Sequence, residues 1–241
     1  MITKAQVKHI QSLDDKKNRN AFKEFIVEGD KMVRELLDSK LKIHHVYAIE
    51  EWVLVNKPQL AHIDFTIVEP FELQKLSLQQ HPNQVLALAA LPEFGEMNED
   101  GVYLVLAGIQ DPGNLGSIIR IADWFGLSGV YCSMDSVDYL NPKVVQSSMG
   151  AVFRVPVKYC SLEELLMQTE LPIYGTELGG VPLTSTQKLT KGYIVIGNES
   201  KGIPRGILDN CTHRIEIPGK GSAESLNAAV AAGIVCFALL S

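Results

Sequence analysis

Three polar, glycine-containing motifs in the second half of the chain have the residue types needed to bind and activate a ligand. They are DPGNLGSIIR (111–120), IGNESKGIP (196–204) and EIPGKGSAESLNA (216–228). Each follows an apolar run that is typical of a buried strand. In α/β proteins, ligands bind at loops that leave strand ends and open into helices. The pattern therefore predicts one composite site built from three loops.

The first motif has two polar side chains that could contact a ligand. Asn114 is expected to cap the helix that follows the Asp-Pro-Gly turn. Arg120 lies between isoleucines on the same helix, where packing against a sheet does not require a charge. One interpretation pairs Arg120 with a carboxylate such as Asp123 or Glu199. The other has its guanidinium hold a phosphate or a ribose oxygen.

The second and third motifs supply an acid and two further polar positions. Glu199 follows a strand end, which favours a functional role, although loop-stabilising hydrogen bonds are an alternative. Ser222 or Ser225 is expected to cap the last helix, predicted over 225–240. Asn227 would then lie inside the first helical turn, where asparagine is unfavourable, so a functional role is indicated.

Several common catalytic motifs are absent from the sequence. There is no GxxxxGK(S/T) phosphate loop and no GxGxxG after the first strand. No GxSxG is present, and His213 is the only histidine after residue 81, which disfavours a Ser-His-Asp hydrolase. His44 and His45 are adjacent and on a strand would point to opposite faces. No metal site is expected.

Apolar periodicity predicts two α/β regions joined by a linker, PEFGEMNEDG (92–101). Strands alternating with helices after the linker indicate a mostly parallel sheet with helices on both faces. In the first region the predicted strands are 25–29, 42–49 and 84–91, and the helices 30–39 and 71–78. In the second region the predicted strands are 102–109, 129–132, 155–159, 172–176, 193–197 and 213–217, and the helices 114–125, 142–150, 161–168 and 225–240.

Charge is distributed unevenly along the chain. The formal net charge is −6, yet residues 1–23 carry six basic and two acidic side chains, or +4. A basic segment on an acidic body favours local contact with phosphates, whereas the alternative is a solvated helix face. The candidate phosphate contacts are Lys4, Lys8, Lys16, Lys17 and Arg19.

Cysteine spacing and hydropathy indicate the cellular compartment in which the protein is expected. The four cysteines lie far apart without a CxxC pair, which argues against a disulfide framework or zinc site and for a reducing compartment. No apolar run reaches the length of a bilayer span, and no signal peptide is expected. A cytoplasmic protein without a membrane partner is predicted. The last helix is apolar almost all round, which indicates either an oligomer interface or burial within the monomer.

The three motifs, in this order and at these separations, resemble the SpoU (TrmH-like) family of RNA 2′-O-ribose methyltransferases in the SPOUT superfamily. The resemblance spans 102–241. The first 90 residues, with FIVEGDKMVRELL, are similar to that family's substrate-binding domain, which resembles ribosomal protein L30e. One departure is Gly219-Lys220, where the family often has a methionine after Ile-Pro.

The resemblance implies a fold, domains and partners. Residues 1–91 would be a small L30e-like α/β domain that binds RNA, and 102–241 an S-adenosylmethionine-dependent methyltransferase domain with a C-terminal trefoil knot. The substrate would be a ribose 2′-hydroxyl of structured RNA, with ribosomal RNA the first expectation and transfer RNA the second. A homodimer packed through the knotted region would cover the last helix.

The resemblance also implies roles for individual residues. The positions matching cofactor contacts are Gly197, Ile217 and Leu226, with Thr176 and Ile196 as further candidates. The positions matching catalytic residues are Asn114, Arg120, Glu199, Ser225 and Asn227. Two other classes stay open: a non-catalytic RNA-binding or ribosome-assembly protein of this fold, and a nucleotide-dependent enzyme on an ordinary doubly wound sheet, which the missing fingerprint loops disfavour.

Overall fold

The computed structural model describes residues 2–97 and 100–241, which form two compact units. The N-terminal unit comprises the chain up to Glu93 together with Leu140–Phe153. The C-terminal unit comprises Phe94–Tyr139 and Arg154–Ser241. Among the described residues, no helix combines the length and the apolar character that crossing a bilayer requires.

The N-terminal unit is an α/β unit with a four-stranded sheet in the order β1-β4-β2-β3. The central strand β4 is antiparallel to both neighbours, and β3 is parallel to β2. The strands are β1 (Glu24–Glu28), β2 (Ile43–Ala48), β3 (Phe65–Ile67) and β4 (Val85–Ala90). The helices within the first 93 residues are α1 (Lys4–Ser12), α2 (Lys16–Phe22), α3 (Asp30–Leu37), α4 (Glu50–Asn56) and α5 (Pro70–Leu76).

The predicted elements of this region are confirmed with ends shifted by a few residues, but α1, α2, α4 and β3 were not predicted. In α1 the apolar signal is sparse, because charged and polar residues surround the few core positions. Ile10 and Leu13 are nevertheless fully buried. Thr3 begins α1 through a reciprocal capping box with Gln6, which a periodicity argument does not detect.

Arg19 is a structural residue of the N-terminal unit. Its side chain is 3% exposed, and its Nη1 donates to the carbonyls of Leu13 and Asp14 at 2.8 and 2.7 Å. The guanidinium thus satisfies carbonyls at the end of α1, which have no helical partner. The prediction that Arg19 contacts a phosphate is corrected, because the group is buried and already bonded.

The C-terminal unit contains a six-stranded sheet in the order β10-β8-β9-β5-β6-β7. Every pairing in it is parallel, and all six residues of β5 are buried, as expected for a strand covered on both faces. The strands are β5 (Val102–Ala107), β6 (Gly129–Cys132), β7 (Val157–Tyr159), β8 (Ile173–Pro182), β9 (Gly192–Gly197) and β10 (His213–Glu216). The helices are α6 (Pro112–Trp124), α8 (Leu162–Met167), α9 (Arg205–Leu208) and α10 (Ala228–Leu240).

Strand β8 extends beyond the predicted end at residue 176, because its pairing with β10 resumes after a large bulge. Arg214 of β10 pairs with Gly175, but the next residue, Ile215, pairs with Val181. Residues 176–180 therefore lie outside the regular ladder. A Cβ atom on Gly180 would lie 2.9 Å from the backbone of Arg214, so this close approach requires glycine.

The helix α7 (Pro142–Ser148) packs within the N-terminal unit although it follows β6 in sequence. The prediction for this helix was 142–150, and it ends earlier because Met149 and Gly150 both have positive φ. Phe153, just after it, contacts the ring of Phe25 in β1 at a centroid distance of 6.2 Å. The domain bounds 1–91, 92–101 and 102–241 stay a prediction about sequence segments, and residues 98 and 99 of the linker lie outside the described part.

Candidate active site

The three motifs leave the same edge of the C-terminal sheet. The first follows β5, the second follows β9 and the third follows β10. Because β5, β9, β8 and β10 are consecutive parallel neighbours, their carboxyl ends lie together. The composite site expected from the motifs therefore has a structural basis.

A hydrogen-bonded chain joins one residue from each motif. Asn114 donates from Nδ2 to the Glu199 carboxylate, and Asn227 donates from Nδ2 to Oδ1 of Asn114 at 2.8 Å. A carboxylate can only accept hydrogen bonds, so the Nδ2 end of the Asn114 carboxamide must face Glu199 and its Oδ1 end faces Asn227. These residues lie 85 and 113 positions apart in sequence. We call Glu199, Asn114 and Asn227 the polar chain.

Helix capping differs from the prediction at both helices of the site. Asp111, not Asn114, caps α6, and its Oδ1 accepts from the Asn114 backbone N–H at 2.8 Å. Asn227 caps α10 by accepting from the N–H groups of Ala229 and Val230 at 3.0 and 3.3 Å. Because Asp111 caps α6, the side chain of Asn114 can take part in the polar chain. Asn227 both caps α10 and takes part in the polar chain.

Ser222 and Ser225 do not cap the last helix, because the helix begins at Ala228, beyond both. Ser225 is exposed, and within the described residues its hydroxyl makes no hydrogen bond. The structure therefore does not bring Ser225 into the polar chain, and its catalytic role stays a prediction.

Arg120 is an exposed cation on α6 without an ion pair among the described residues. The interpretation that pairs it with Asp123 or Glu199 is wrong. Asp123 instead pairs with Arg154 at 2.8 Å, and Glu199 binds Asn114. Arg120 lies about 9 Å further along the helix axis than Asn114, and the structure shows no contact, among the residues it describes, between its guanidinium and the polar chain.

Asn198 holds the second motif against the end of β5, a role that sequence reasoning missed. Its Nδ2 donates to the Gly108 carbonyl at 3.0 Å, and its Oδ1 accepts from the N–H groups of Ser200 and Lys201 at 3.0 and 3.1 Å. Its backbone also exchanges hydrogen bonds with Gly202. Asparagine in a glycine-rich loop was the available signal, because this side chain readily bonds the backbone nearby.

The predicted cofactor positions lie along the same sheet edge. Thr176 is adjacent to β9 and donates from Oγ1 to the Val195 carbonyl at 3.3 Å. Ile196 is buried at the end of β9, and Gly197 ends that strand. Ile217 directly follows β10, and Leu226, which is 44% exposed, precedes the cap of α10.

The remaining predicted phosphate contacts lie in the N-terminal unit. Lys4 and Lys8 are exposed on α1, and Lys16 and Lys17 are exposed on the first turn of α2. The structure thus separates these four lysines from the buried Arg19.

The cysteines do not resemble a reactive or metal-binding set. All four are free thiols, and burial raises the pKa of Cys211 to about 11 and of Cys236 to about 12. Both thiols are therefore protonated at neutral pH, whereas a reactive nucleophile would be a thiolate. The described residues hold no group of three or more His, Cys, Asp or Glu side chains placed to share a metal ion.

Comparison with known proteins identifies both regions. Residues 101–237 match the SpoU rRNA Methylase family, and residues 4–87 match the MRM3-like substrate binding domain. The 23S rRNA (guanosine(2553)-2′-O)-methyltransferase RlmP of Bacillus subtilis is 29% identical over 238 residues, which cover 97% of this chain and 95% of that protein.

Solved structures agree with the sequence comparison. A TrmH-family protein from Porphyromonas gingivalis is 33% identical, with a TM-score of 0.86 over 99% of this chain and 98% of that one. An AdoMet-bound rRNA methyltransferase from Sinorhizobium meliloti is 27% identical, with a TM-score of 0.86 over 99% and 95%. With its family motifs gathered at one sheet edge and its full length matched, this chain belongs to the SpoU rRNA methylase family.

Proposed function

We propose that this protein transfers a methyl group from S-adenosylmethionine to a ribose 2′-hydroxyl of ribosomal RNA. The observation that carries the proposal is the polar chain, which joins Glu199, Asn114 and Asn227 from the three family motifs. The activity named for the Bacillus subtilis relative belongs to the same reaction class. A cytoplasmic location fits this substrate and the four free thiols.

The sheet edge offers chemical groups that suit S-adenosylmethionine. Leu226, which is 44% exposed, offers apolar surface, and the backbone around Gly197 and Ile217 offers hydrogen-bonding groups for an adenine ring. The open positions at Gly219 and Gly221, where an added Cβ would meet no atom within 4 Å, leave the third motif room to fold over a ligand. When bound, the cofactor supplies a methyl group already activated by its sulfonium.

The chain's own residues would orient the sugar and manage its charge. Asn114, fixed between Glu199 and Asn227, is held in place to orient a ribose. The exposed guanidinium of Arg120 would bind a neighbouring phosphate or stabilise negative charge as it develops on the 2′-oxygen. Arginine stays protonated near neutral pH, so Arg120 is not the base. Glu199 positions Asn114 rather than accepting the proton.

One experiment tests the proposal against its alternatives. Purified protein is incubated with labelled S-adenosylmethionine and total cellular RNA, and the modified nucleosides are analysed. We expect label in 2′-O-methylated nucleosides of ribosomal RNA. Label in transfer RNA would favour the tRNA enzyme, and binding of S-adenosylhomocysteine without transfer would favour a non-catalytic protein. A protein that binds neither would contradict the proposal.

Gly197 provides a test of the cofactor site. A Cβ atom there would lie 2.3 Å from the carbonyl carbon of Gly202, a clash with backbone that cannot move cheaply. Gly197→Ala should therefore displace the second motif and weaken S-adenosylhomocysteine binding by about tenfold or more, since a 1.4 kcal/mol strain suffices for that change. Calorimetry measures the affinity. Gly95→Ala is the matched control, because Gly95 lies outside the three motifs and nothing lies within 4 Å of its Cβ position, and equal affinities for the two variants would argue against the placement.

A homodimer through the C-terminal region, and the trefoil knot that accompanies it in the family, form part of the proposal. One face of α10 is buried within the unit, which accounts for only part of its apolar surface. Val230, Ile234 and Phe237 are 51%, 38% and 65% exposed at helical spacing, and Trp124 at the end of α6 is 83% exposed. A second copy is the natural cover for such a face.

Phe237 tests the dimer. Phe237→Glu places a charge in the proposed interface and should convert the dimer to a monomer at micromolar concentration, as seen by sedimentation velocity. Leu54→Glu is the control for the change in surface charge, because Leu54 is 65% exposed on α4. A wild-type protein that sediments as a monomer would contradict the dimer.

A further inference from the structure

A groove between α1 and α5 in the N-terminal unit has no role in the methyl-transfer site. It is open to solvent and has a volume of about 880 Å³. Ile2 and Val7 supply apolar surface, Phe71 adds an aromatic ring, and three lysines also line the groove: Lys4, Lys8 and Lys75. The Gln11 side chain links the two helices by donating to the Lys75 carbonyl at 2.9 Å. The groove is therefore a defined feature of this unit.

The charge of the groove favours an anionic ligand. Lys4 and Lys8 lie four residues apart on one face of α1, an arrangement that slightly destabilises a helix. None of the three lysines forms an ion pair with another described residue. Among the described residues that line the groove, Glu72 is the only acid, and its carboxylate accepts from the backbone N–H groups of Ile2 and Glu69, both at 3.1 Å. These bonds lower the pKa of Glu72 and occupy its oxygens.

Phe71 favours a ligand with a flat face. Its side chain is 61% exposed, so its ring contributes little to the core. The ammonium of Lys75 lies over the ring, 5.0 Å from its centroid, and this cation–π contact holds a positive charge at the aromatic surface. An exposed ring next to lysines is the arrangement on which unpaired bases stack while their phosphates are neutralised. A duplex hides its base faces and would not use the ring.

We propose that the α1–α5 groove binds an unpaired stretch of RNA, with one base stacked on Phe71 and phosphates at Lys4, Lys8 and Lys75. The inference deepens the proposed function, since the RNA would be the substrate whose ribose is methylated. It adds Phe71 and Lys75 to the RNA-contacting residues.

The stacking contact is tested by measuring the Kd of the full chain for two fluorescein-labelled RNAs. One RNA is an unstructured oligonucleotide, and the other is a hairpin duplex of similar length. Phe71→Ala should raise the Kd for the unstructured RNA by about 5- to 150-fold, the range for losing one stacked base, and leave the duplex Kd nearly unchanged. Phe71→Trp should retain tight binding. Phe65→Ala is the matched control, because Phe65 is also exposed but lies on β3.

The phosphate contacts are tested through salt. Replacing Lys4, Lys8 and Lys75 together by glutamine should reduce the slope of log K against log salt by about 2, at roughly 0.7 per phosphate contact on a single strand. The matched triple replaces three other lysines of the N-terminal unit that are also exposed: Lys31, Lys40 and Lys57. The proposal is overturned if both triple variants have the same salt slope, or if Phe71→Ala and Phe65→Ala have the same Kd for the unstructured RNA. It is also overturned if Phe71→Ala changes the sedimentation coefficient, which would indicate that a second copy of the chain occupies the groove.

Failure of this inference can be told apart from failure of the proposed function. The groove variants should bind S-adenosylhomocysteine as the wild type does, because their changes lie in the other unit. Normal cofactor binding and methyl transfer with unaltered RNA affinity would reject the groove alone. A wild-type protein that binds RNA through Phe71 but never transfers a methyl group would reject the enzyme alone.

Discussion

Arg120→Ala should lower the rate of methyl transfer to RNA by about 10²- to 10⁴-fold, the range for losing a positioned group that stabilises developing charge. Binding of S-adenosylhomocysteine should stay within about twofold, and the melting temperature should not change. The physical reason is that Arg120 is exposed and forms no ion pair among the described residues, so its loss should cost the fold little and remove only the substrate contact that we propose. Single-turnover rates at saturating RNA measure the effect on the chemical step.

Two variants show whether charge or geometry matters at this position. Arg120→Lys keeps the charge but loses the fork of donors, and we expect it to recover only part of the rate. Arg205→Ala is the matched control, because Arg205 is also on a C-terminal-unit helix and its side chain is 72% exposed. Wild-type transfer by Arg120→Ala would remove Arg120 from the mechanism.

Asn114→Asp should also lower the rate of methyl transfer strongly, but for a different physical reason. The new carboxylate still accepts from Asn227 but cannot donate to Glu199, so two carboxylates would face each other. We expect a rate loss of about 10²-fold, comparable to removing one preorganised donor at a reacting centre. Stability should fall by about 1–3 kcal/mol, the cost of breaking a hydrogen bond to a charged group. Thermal unfolding and single-turnover kinetics measure these two effects.

Exchanging the two groups should restore the contact. In Asn114→Asp combined with Glu199→Gln, the glutamine amide donates to the aspartate, so the hydrogen bond re-forms in the opposite direction. The double-mutant cycle should give a favourable coupling of about 0.5–3 kcal/mol. Losses that simply add would contradict a direct contact.

The single variant Glu199→Gln separates two roles for this acid. Glutamine still accepts from Asn114 through its carbonyl oxygen, so a positioning role predicts a rate within about tenfold of wild type, the loss of one charge-assisted contact. A proton-accepting role predicts near-complete loss, because an amide cannot act as a base. The result decides whether Glu199 acts through Asn114.

The pH dependence of Asn114→Asp follows from the facing carboxylates. Mutual repulsion raises the pKa of the pair, so one proton is bound at higher pH than normal. Below that raised pKa, the shared proton restores a donor between the residues. The stability and activity of Asn114→Asp relative to wild type should therefore improve as the pH falls and worsen as it rises. Parallel pH profiles for the two proteins would contradict this expectation.

The sequence by itself was enough to predict the parallel sheet and the three motifs. Strands such as β5 and β9 are buried on both faces, so they read as continuous apolar runs. Polar and glycine residues directly after such apolar runs are conspicuous in the sequence, because packing of the apolar core does not require them. The candidate residues Asn114, Glu199 and Asn227 follow from this local contrast.

Only the tertiary structure decided how those residues are used. Local preferences predicted Asn114 as the cap of α6 and Ser222 or Ser225 as the cap of α10, because these side chains can all cap a helix. The backbone path selected Asp111 and Asn227, which left the Asn114 side chain to bridge residues 85 and 113 positions away. Likewise, the packing of α7 in the N-terminal unit depends on partners that are distant in sequence. Hydrophobic periodicity records which face of an element is buried, but not which other element covers it, and that choice is made by packing of the whole chain.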